Sequence, residues 1–572
     1  MSEAAGGRRW VNAYDTHVKP DIEIPAQTYV DLLKTGFSHN PERPALHYMG
    51  RTVTFREMDQ LSARFASYLH HQGIRSGSVV GIYLPNIPEY LIAFVGALRA
   101  GCAVTGISPL LSAKELAYQL NDSGAAALLI MDALFEDRLY KIKEQVPALK
   151  SVVFANAGTF LPPVKRVLGQ LFKKIPKGNI RPIDGKSVQS FKTALDAFTA
   201  LPEEAAVHPA DTCLIQYTGG TTGTPKGTVL THANMVANYT QARQWLNFEI
   251  GNDVLCSGFP FFHLAGLAFG MIAMGTANTQ CLIPDPRNTR HIAKELKDRK
   301  VTIMANVPTL YQMLTDDPVF KSLDFSELKI CVSGAAPFSV EGINALEAVV
   351  GKGKILEVYG MTEASPLLTM NPFDGEKKIG SVGVPIQNTM IRVVDVETGN
   401  KEIGVNEEGE IIASGPQIMK GYHNKPEESA HALKDFQGAT YLYTGDIGKM
   451  DEEGYLYIVD RTKDMLIVGG FKVFSREVEE TLYQHEAVEF CAIVGMPDEK
   501  RPGNEIVKAV IQLKAGAKQK DKQMLEDDIR AYCRETMAPY KMPKAIEFID
   551  KIPLTAVGKV DKKALRQAGK PN

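Results

Sequence analysis

The 572-residue chain exceeds the size at which a single hydrophobic core stops growing, so the sequence predicts at least two domains. Its 64 lysines and arginines nearly balance its 66 aspartates and glutamates, and the net charge of -2 argues against nucleic acid as a partner. Seven scattered cysteines without CxxC spacing argue against a disulfide framework or a structural zinc site. Residues 1–10 also lack the apolar segment of a secretory signal, so a cytoplasmic location is predicted.

Strand and helix patterns alternate in the first part of the chain. Residues 78–84 form an apolar run typical of a buried strand, and residues 89–98 have helical periodicity. This alternation favours an α/β fold class in which a large N-terminal domain contains parallel or mixed sheets. Further short strands are predicted at 212–216, 301–305, 328–333 and 391–394.

Residues 164–177 combine apolar and basic side chains in an amphipathic helical pattern. In some proteins such a helix lies on an anionic membrane surface. For this chain that surface would be the inner face of the membrane. In other proteins it is a solvated surface helix that covers its own domain. The pattern leaves both interpretations open.

Residues 254–284 contain no Asp, Glu, Lys or Arg, a length sufficient to span a bilayer. Pro260, His263 and four glycines interrupt the segment, together with other polar residues that are costly in hydrocarbon. We therefore expect a buried helix beside an apolar pocket rather than a membrane span.

A domain boundary is predicted near residues 460–463, where a strand pattern gives way to a denser charge pattern. Strands at 489–495 and 506–513 and a charged helix at 522–536 indicate a small α+β domain. The predicted domains are residues 1–461 and 462–572. A cleft between two domains is a common place for a ligand site.

Residues 217–227 form a glycine- and threonine-rich loop that follows a predicted strand and ends with Lys226 and Gly227. Glycines let backbone N–H groups approach an anion, threonine hydroxyls add hydrogen bonds, and Lys226 adds positive charge. The loop is not a Walker A motif, because that motif has Ser or Thr after its lysine. It predicts a phosphate site of another kind.

This loop resembles the signature of the adenylate-forming superfamily, which includes acyl-CoA synthetases, luciferases and the adenylation domains of peptide synthetases. Blocks at 359–363, 443–446, 454–470 and 558–559 resemble further motifs of the superfamily in the same order, and 380–385 and 415–422 add to the likeness. The resemblance covers essentially the whole chain. It is strongest to bacterial long-chain fatty-acid–CoA ligases.

The resemblance implies a two-step reaction. The carboxylate of a fatty acid attacks the α-phosphate of ATP, pyrophosphate leaves, and the thiol of coenzyme A then opens the acyl-adenylate to give acyl-CoA and AMP. Mg²⁺ is the implied cofactor. Three alternatives stay open: an acyl-AMP ligase that loads a carrier protein, a CoA ligase for an aryl or other non-fatty acid, and a binding scaffold without catalysis.

The resemblance also implies roles for individual residues. Lys559 stabilises charge on the α-phosphate during adenylation, and Thr362 bonds the same phosphate; with Lys226 and Glu363 they form the implied catalytic set. Glu363, with Thr218, holds Mg²⁺. The resemblance implies three sets of contacts to ATP or AMP. The phosphates would be bound by Thr218, Gly219, Gly220, Thr221, Thr222, Gly223, Thr224, Lys226, Thr362 and Lys559. The adenine would be flanked by Gly334, Ala335, Ala336, Glu357, Tyr359 and Gly360, and the ribose would be bound by Asp446 and Arg461.

Without the resemblance these residues have ordinary interpretations. Glu363 would be a solvated surface acid, Asp446 a turn residue, Arg461 part of a surface ion pair and Lys559 one lysine of a basic tail. His263 aligns with a position beside the acyl pocket of relatives and is otherwise a hydrogen-bonded core histidine.

In the superfamily the small C-terminal domain is mobile and rotates between the two steps. Lys463 matches the hinge, and Gly469, Gly470 and Phe471 would face the acyl and CoA region in the second step. The chain departs from the common pattern in two places: Ser475 stands where many relatives have proline, and residues 560–563 lack the usual arginine. A homodimer is left open.

Overall fold

The computed structural model describes residues 7–199, 205–218, 224–462, 464–468, 471–498, 505–555 and 559–568. The strands of these residues, in chain order, are β1 Pro44–Tyr48, β2 Arg51–Thr54, β3 Val79–Tyr83, β4 Ala103–Gly106, β5 Ala125–Met131, β6 Ser151–Ala155, β7 Ser187–Ser190, β8 Thr212–Thr218, β9 Lys226–Thr231, β10 Val254–Ser257, β11 Thr279–Leu282, β12 Ile303–Asn306, β13 Ile330–Ser333, β14 Ile355–Gly360, β15 Leu367–Met370, β16 Val384–Pro385, β17 Met390–Val394, β18 Gly409–Ser414, β19 Gly421–Tyr422, β20 Leu433–Phe436, β21 Ala439–Met450, β22 Leu456–Arg461, β23 Leu466–Val468, β24 Phe471–Val473, β25 Val488–Pro497, β26 Glu505–Leu513 and β27 Ala545–Ile549.

The α-helices of the described residues are α1 Tyr29–His39, α2 Phe55–His71, α3 Pro88–Arg99, α4 Ala113–Ser123, α5 Asp132–Leu134, α6 Pro163–Leu171, α7 Phe191–Asp196, α8 His232–Trp245, α9 Leu264–Gly275, α10 Thr289–Arg299, α11 Pro308–Asp316, α12 Pro318–Lys321, α13 Val340–Val350, α14 Pro426–Ala432, α15 Ser475–Tyr483, α16 Lys522–Thr536 and α17 Lys562–Ala568.

Three sheets form the N-terminal part of the chain as far as it is described. The first has the strand order β19-β9-β8-β4-β3-β5-β6-β7, and the second has the order β16-β15-β14-β13-β12-β10-β11-β1-β2. The central strands of both sheets are parallel, whereas β8-β9, β14-β15 and β1-β2 are antiparallel. The third sheet, of β17, β18, β20, β21 and β22, is antiparallel. The predicted α/β fold class with parallel and mixed sheets is confirmed.

The C-terminal part is smaller and mixes strands with helices. Strand β26 pairs antiparallel with β25 and parallel with β27, and β23 and β24 form a separate hairpin. Helices α15 and α17 pack on β25, and α16 packs on α15. These elements have the α+β composition predicted from the sequence.

The uncharged segment 254–284 is not one long helix. It forms strand β10, helix α9 and strand β11, and most of α9 is buried. Helices α1, α3, α8 and α9 contact one another and share a core with side chains from the large sheets. Among the described residues, no helix has the length and apolarity needed to cross a membrane.

Candidate active site

The glycine- and threonine-rich segment lies in the chain between two strands of the first sheet that pair antiparallel. Thr218 ends β8 and pairs with Lys226, the first residue of β9. Thr224 is exposed, and the Pro225 carbonyl accepts a hydrogen bond of 2.9 Å from the Tyr118 hydroxyl. The pairing therefore holds Thr218 and Lys226 side by side at the base of this segment.

Glu363 lies close to this base in space. It belongs to a 3-10 turn at Thr362–Ala364 just after β14, and both Thr362 and Glu363 are buried. The Tyr422 hydroxyl donates a hydrogen bond of 2.8 Å to Glu363 Oε1, and burial raises the pKa of the Glu363 carboxyl. Glu363 is thus not a solvated surface acid.

Tyr422 connects the acid with the basic end of the loop. It lies on β19, which pairs with β9, and the Lys226 ammonium is 5.0 Å from the centre of its ring. Tyr422 ends the segment 415–422 that resembles a family motif, but the resemblance assigned it no role. Its position follows only from the pairing of β19 with β9, which are far apart in the chain.

The residues predicted around the adenine come together at the ends of two parallel strands. Ser333 at the end of β13 pairs with Glu357 in β14, which places residues 334–336 beside residues 357–360. Gly360 must be glycine, since a Cβ there would lie 1.9 Å from the Pro366 carbonyl oxygen. Burial raises the pKa of Glu357 to about 7, and its carboxyl accepts the Gly380 N–H.

The two predicted ribose residues lie opposite each other on neighbouring strands of the third sheet. Asp446 in β21 pairs with Arg461 in β22, and Arg461 Nε is 3.2 Å from Asp446 Oδ1. The other carboxylate oxygen accepts a 2.8 Å hydrogen bond from the Tyr359 hydroxyl. Asp446 is a buried strand residue rather than a turn residue, and its charge raises the pKa of Arg461.

Lys559 lies beside a β-bridge of the C-terminal part. The bridge joins Leu554 to Val560, and Thr555 and Lys559 exchange hydrogen bonds. Burial and the Lys559 ammonium together lower the pKa of His263 to about 3. The C-terminal lysine therefore lies within electrostatic reach of His263, in the segment before α9.

His263 has a structural role as well as this position. Its Nδ1 accepts the Ala265 N–H at the start of α9, with a separation of 3.3 Å, so it caps the buried helix. A small cavity of about 10 Å³ lies beside α1, α8 and α9, lined by Tyr29, Met235, Asn238, Tyr239, Ala268, Ile272 and Ser365.

The residues predicted to face the acyl and CoA region are described only in part. Phe471 is 57% exposed and stacks on Tyr540 of the C-terminal part, with ring centres 4.6 Å apart. Several predicted residues lie outside the described residues, namely Gly219, Gly220, Thr221, Thr222, Gly223, Lys463, Gly469 and Gly470.

Comparison with known proteins adds to this geometry. Residues 33–423 match the AMP-binding enzyme family, and residues 477–559 match the AMP-binding enzyme C-terminal domain. The long-chain-fatty-acid–CoA ligase of Bacillus subtilis (strain 168) is 36% identical over 564 residues, with 97% of each chain covered. That of Escherichia coli O157:H7 is 34% identical over 566 residues, again with 97% of each chain covered. The crystal structure of the anthranilate CoA ligase AuaEII with anthranoyl-AMP is 28% identical, covers 96% of this chain and 98% of its own, and superposes with a TM-score of 0.81.

Proposed function

Because the chain belongs to the AMP-binding enzyme family and is an AMP-forming acid–CoA ligase that uses ATP and CoA, we propose that its acid is a long-chain fatty acid. The observation that carries this proposal is the likeness to long-chain-fatty-acid–CoA ligases along 97% of both chains. The buried, uncharged helix α9 beside His263 supports it, because burying each CH₂ group of an acyl chain against an apolar wall is worth about 0.8 kcal/mol.

We propose that the residues of the site divide the work of the first step. Lys226 and the loop of Thr218 to Thr224 bind the phosphates, and Asp446 and Arg461 bind the ribose hydroxyls. Thr362 and Lys559 contact the α-phosphate, where Lys559 offsets the charge that develops as the acid carboxylate attacks. The nearness of Lys226, Tyr422 and Glu363, and of Lys559 to His263, supports these roles.

The donors present fit a magnesium ion. Mg²⁺ prefers oxygen ligands and is commonly held by one or two carboxylates together with substrate phosphates. Glu363 would supply the carboxylate and Thr218 a hydroxyl. The bound ion would neutralise phosphate charge.

We propose that the domain boundary lies between residues 461 and 462 and that Lys463 is the hinge. The family matches support this boundary, because the first ends at residue 423 and the second begins at 477. Rotation about the hinge would withdraw Lys559 after adenylation and bring residues 469–471 toward the acyl and CoA region.

The test is AMP release by the purified protein with Mg·ATP and acids from acetate to oleate, plus benzoate and coumarate, with and without CoA. We expect turnover that requires both CoA and a long-chain acid. Faster turnover of benzoate or coumarate would favour the aryl alternative, which the likeness to the anthranilate CoA ligase keeps open. Acyl-AMP that accumulates whether or not CoA is present would favour loading of a carrier protein.

We also propose that the protein works at the cytoplasmic face of the membrane and contacts it through residues 164–177. The apolar side chains of α6 and the residue after it point into solvent: Val164 is 71% exposed, Val167 60%, Leu168 46%, Leu171 71% and Phe172 65%. Val164, Val167, Leu168 and Leu171 recur at the i, i+3, i+4, i+7 spacing that places side chains on one helical face. None of the residues of α6 is buried, so the solvated surface helix stays open beside the membrane contact, which the exposed apolar face supports.

The charge and anchoring of this segment fit an anionic lipid surface. Residues 145–183 hold seven Lys and Arg and no Asp or Glu, in a chain whose net charge is -2. Lys165 Nζ donates a 2.8 Å hydrogen bond to the Met49 carbonyl, which ties the helix to the domain, and Ile175 lies close to Gly158 and Gly169. An exposed apolar face flanked by basic residues is typical of a helix that lies in a membrane interface.

We expect the protein to float with vesicles that contain phosphatidylglycerol and not with pure phosphatidylcholine vesicles. Leu171→Glu should reduce the bound fraction about tenfold or more, because burying a leucine is worth about 1.5–3 kcal/mol. Met524→Glu is the matched control, since Met524 is 72% exposed on α16. Equal binding by both variants would contradict the proposal.

The homodimer that the sequence left open stays a prediction.

A further inference from the structure

The two departures from the common family pattern contact each other. Lys562 begins α17 and Ser475 begins α15, and Lys562 Nζ donates a hydrogen bond of 2.6 Å to Ser475 Oγ. The two residues are 87 positions apart in the chain. A proline at position 475 would have neither this hydroxyl nor a backbone N–H.

Ser475 uses both of those groups to hold Asp460. Its backbone N–H donates to Asp460 Oδ2, and its hydroxyl donates to Asp460 Oδ1 with a separation of 3.1 Å. Asp460 and Ser475 are both buried. Asp460 lies on β22, one residue before Arg461 and three before the proposed hinge, so these bonds join the two sides of the hinge.

Lys562 is balanced by buried acids. Its ammonium is 2.8 Å from Glu479 Oε1, and both side chains are largely buried. Burial alone would lower the pKa of Lys562, but Glu479, Asp460 and Asp464 outweigh this effect and raise it. A buried charge is costly unless it is paired, so the lysine is stable here only while these acids surround it.

The same helix begins three residues after Lys559. Val560, the residue after Lys559, is bridged to Leu554, and Asp561 Oδ1 accepts the Ala564 N–H in the first turn of α17. Movement of Lys562 would therefore move Lys559. A second ion pair, 2.6 Å between Arg566 and Asp464, ties the same helix to the segment after the hinge.

From these contacts we infer that Asp460, Ser475, Glu479 and Lys562 form a latch, which holds the C-terminal domain in the pose that presents Lys559 to the acyl-adenylate site. Lys562 is a positioning residue that acts through Lys559, and the inference rests on the proposed role of Lys559. Rotation of the domain separates Asp460 from Ser475 and Lys562, and thereby opens the latch.

The first test separates the two half-reactions. Lys562→Met should lower fatty-acid-dependent exchange of pyrophosphate into ATP about tenfold, equivalent to about 1.4 kcal/mol of lost preference for the adenylating pose. Conversion of supplied acyl-AMP and CoA to acyl-CoA should be unchanged or faster. Lys562→Arg should restore exchange, and Lys563→Met is the matched control because Lys563 is exposed on the same helix. Asp460→Asn offers a second variant if Lys562→Met fails to fold.

The second test reads the pose without substrate. All seven native cysteines are buried, so spin labels can be placed on Glu452→Cys and Lys518→Cys, two exposed positions on opposite sides of the hinge. Asp460→Asn and Lys562→Met should broaden or shift the distance between the labels, whereas Lys563→Met should not. An unchanged distance in both latch variants would overturn the inference, as would an equal loss of both half-reactions. A changed distance with normal exchange would instead contradict the proposed role of Lys559.

Discussion

Lys559→Ala is expected to slow formation of the acyl-adenylate by about 10²–10³-fold, because one positive group aimed at developing charge contributes that much in comparable sites. Conversion of supplied acyl-AMP to acyl-CoA should change little, since the lysine is assigned to the first step alone. The measurement is pyrophosphate exchange into ATP with a long-chain acid, beside single-turnover thioester formation.

The control for this variant is Lys563→Ala. Lys563 is exposed, lies four residues away and carries the same charge, so a general effect of lost positive charge would appear in both variants. Similar losses in the two half-reactions of Lys559→Ala would show that the lysine supports the structure or the binding of all substrates. In that case its assignment to adenylation would be wrong.

Glu363→Gln is expected to lower the rate of adenylation about 100-fold and to raise the magnesium concentration needed for half-maximal rate. A neutral amide is a weaker ligand for Mg²⁺ than a carboxylate, and the charge that the ion supplies in such sites is worth several kcal/mol, or roughly 100-fold or more in rate. The amide oxygen still accepts the Tyr422 hydroxyl, which now bonds Glu363 Oε1 at 2.8 Å. The melting temperature should therefore change little.

Glu427→Gln is the matched control, because Glu427 is exposed at the start of α14 and the substitution removes the same charge. A magnesium titration of exchange activity compares the two variants with the parent protein. If Glu363→Gln keeps the parent rate and the parent magnesium dependence, the metal ligand is another group and the assignment of Glu363 fails.

Local chemistry made much of the fold predictable. The strand Val79–Tyr83 is buried at every position, as its continuous apolar sequence indicated. The charged helix Lys522–Thr536 has the predicted bounds because Asp521 caps it, accepting the N–H groups of Gln523 and Met524. The sequence also indicated a phosphate loop, since glycine, threonine and lysine at close spacing have few other uses.

Contacts between distant parts of the chain could not be predicted in this way. Tyr422 lies between Lys226 and Glu363 only because β19 pairs with β9. A motif records which side chains are present, but pairing of distant strands depends on the packing of the whole sheet. For this reason the sequence predicted Glu363 as a ligand and left the half-buried Tyr422, its hydroxyl partner, without a role.

Thus the sequence by itself determined the α/β class, the family and the residue types of the nucleotide site, because these depend on local periodicity and short motifs. The tertiary structure decided two other features. It turned the apolar face of α6 toward solvent, since periodicity shows that a helix has such a face but not what covers it. It also brought Lys562 Nζ within 2.6 Å of Ser475 Oγ. These two departures from the family pattern are far apart in the chain, and only folding places them in contact.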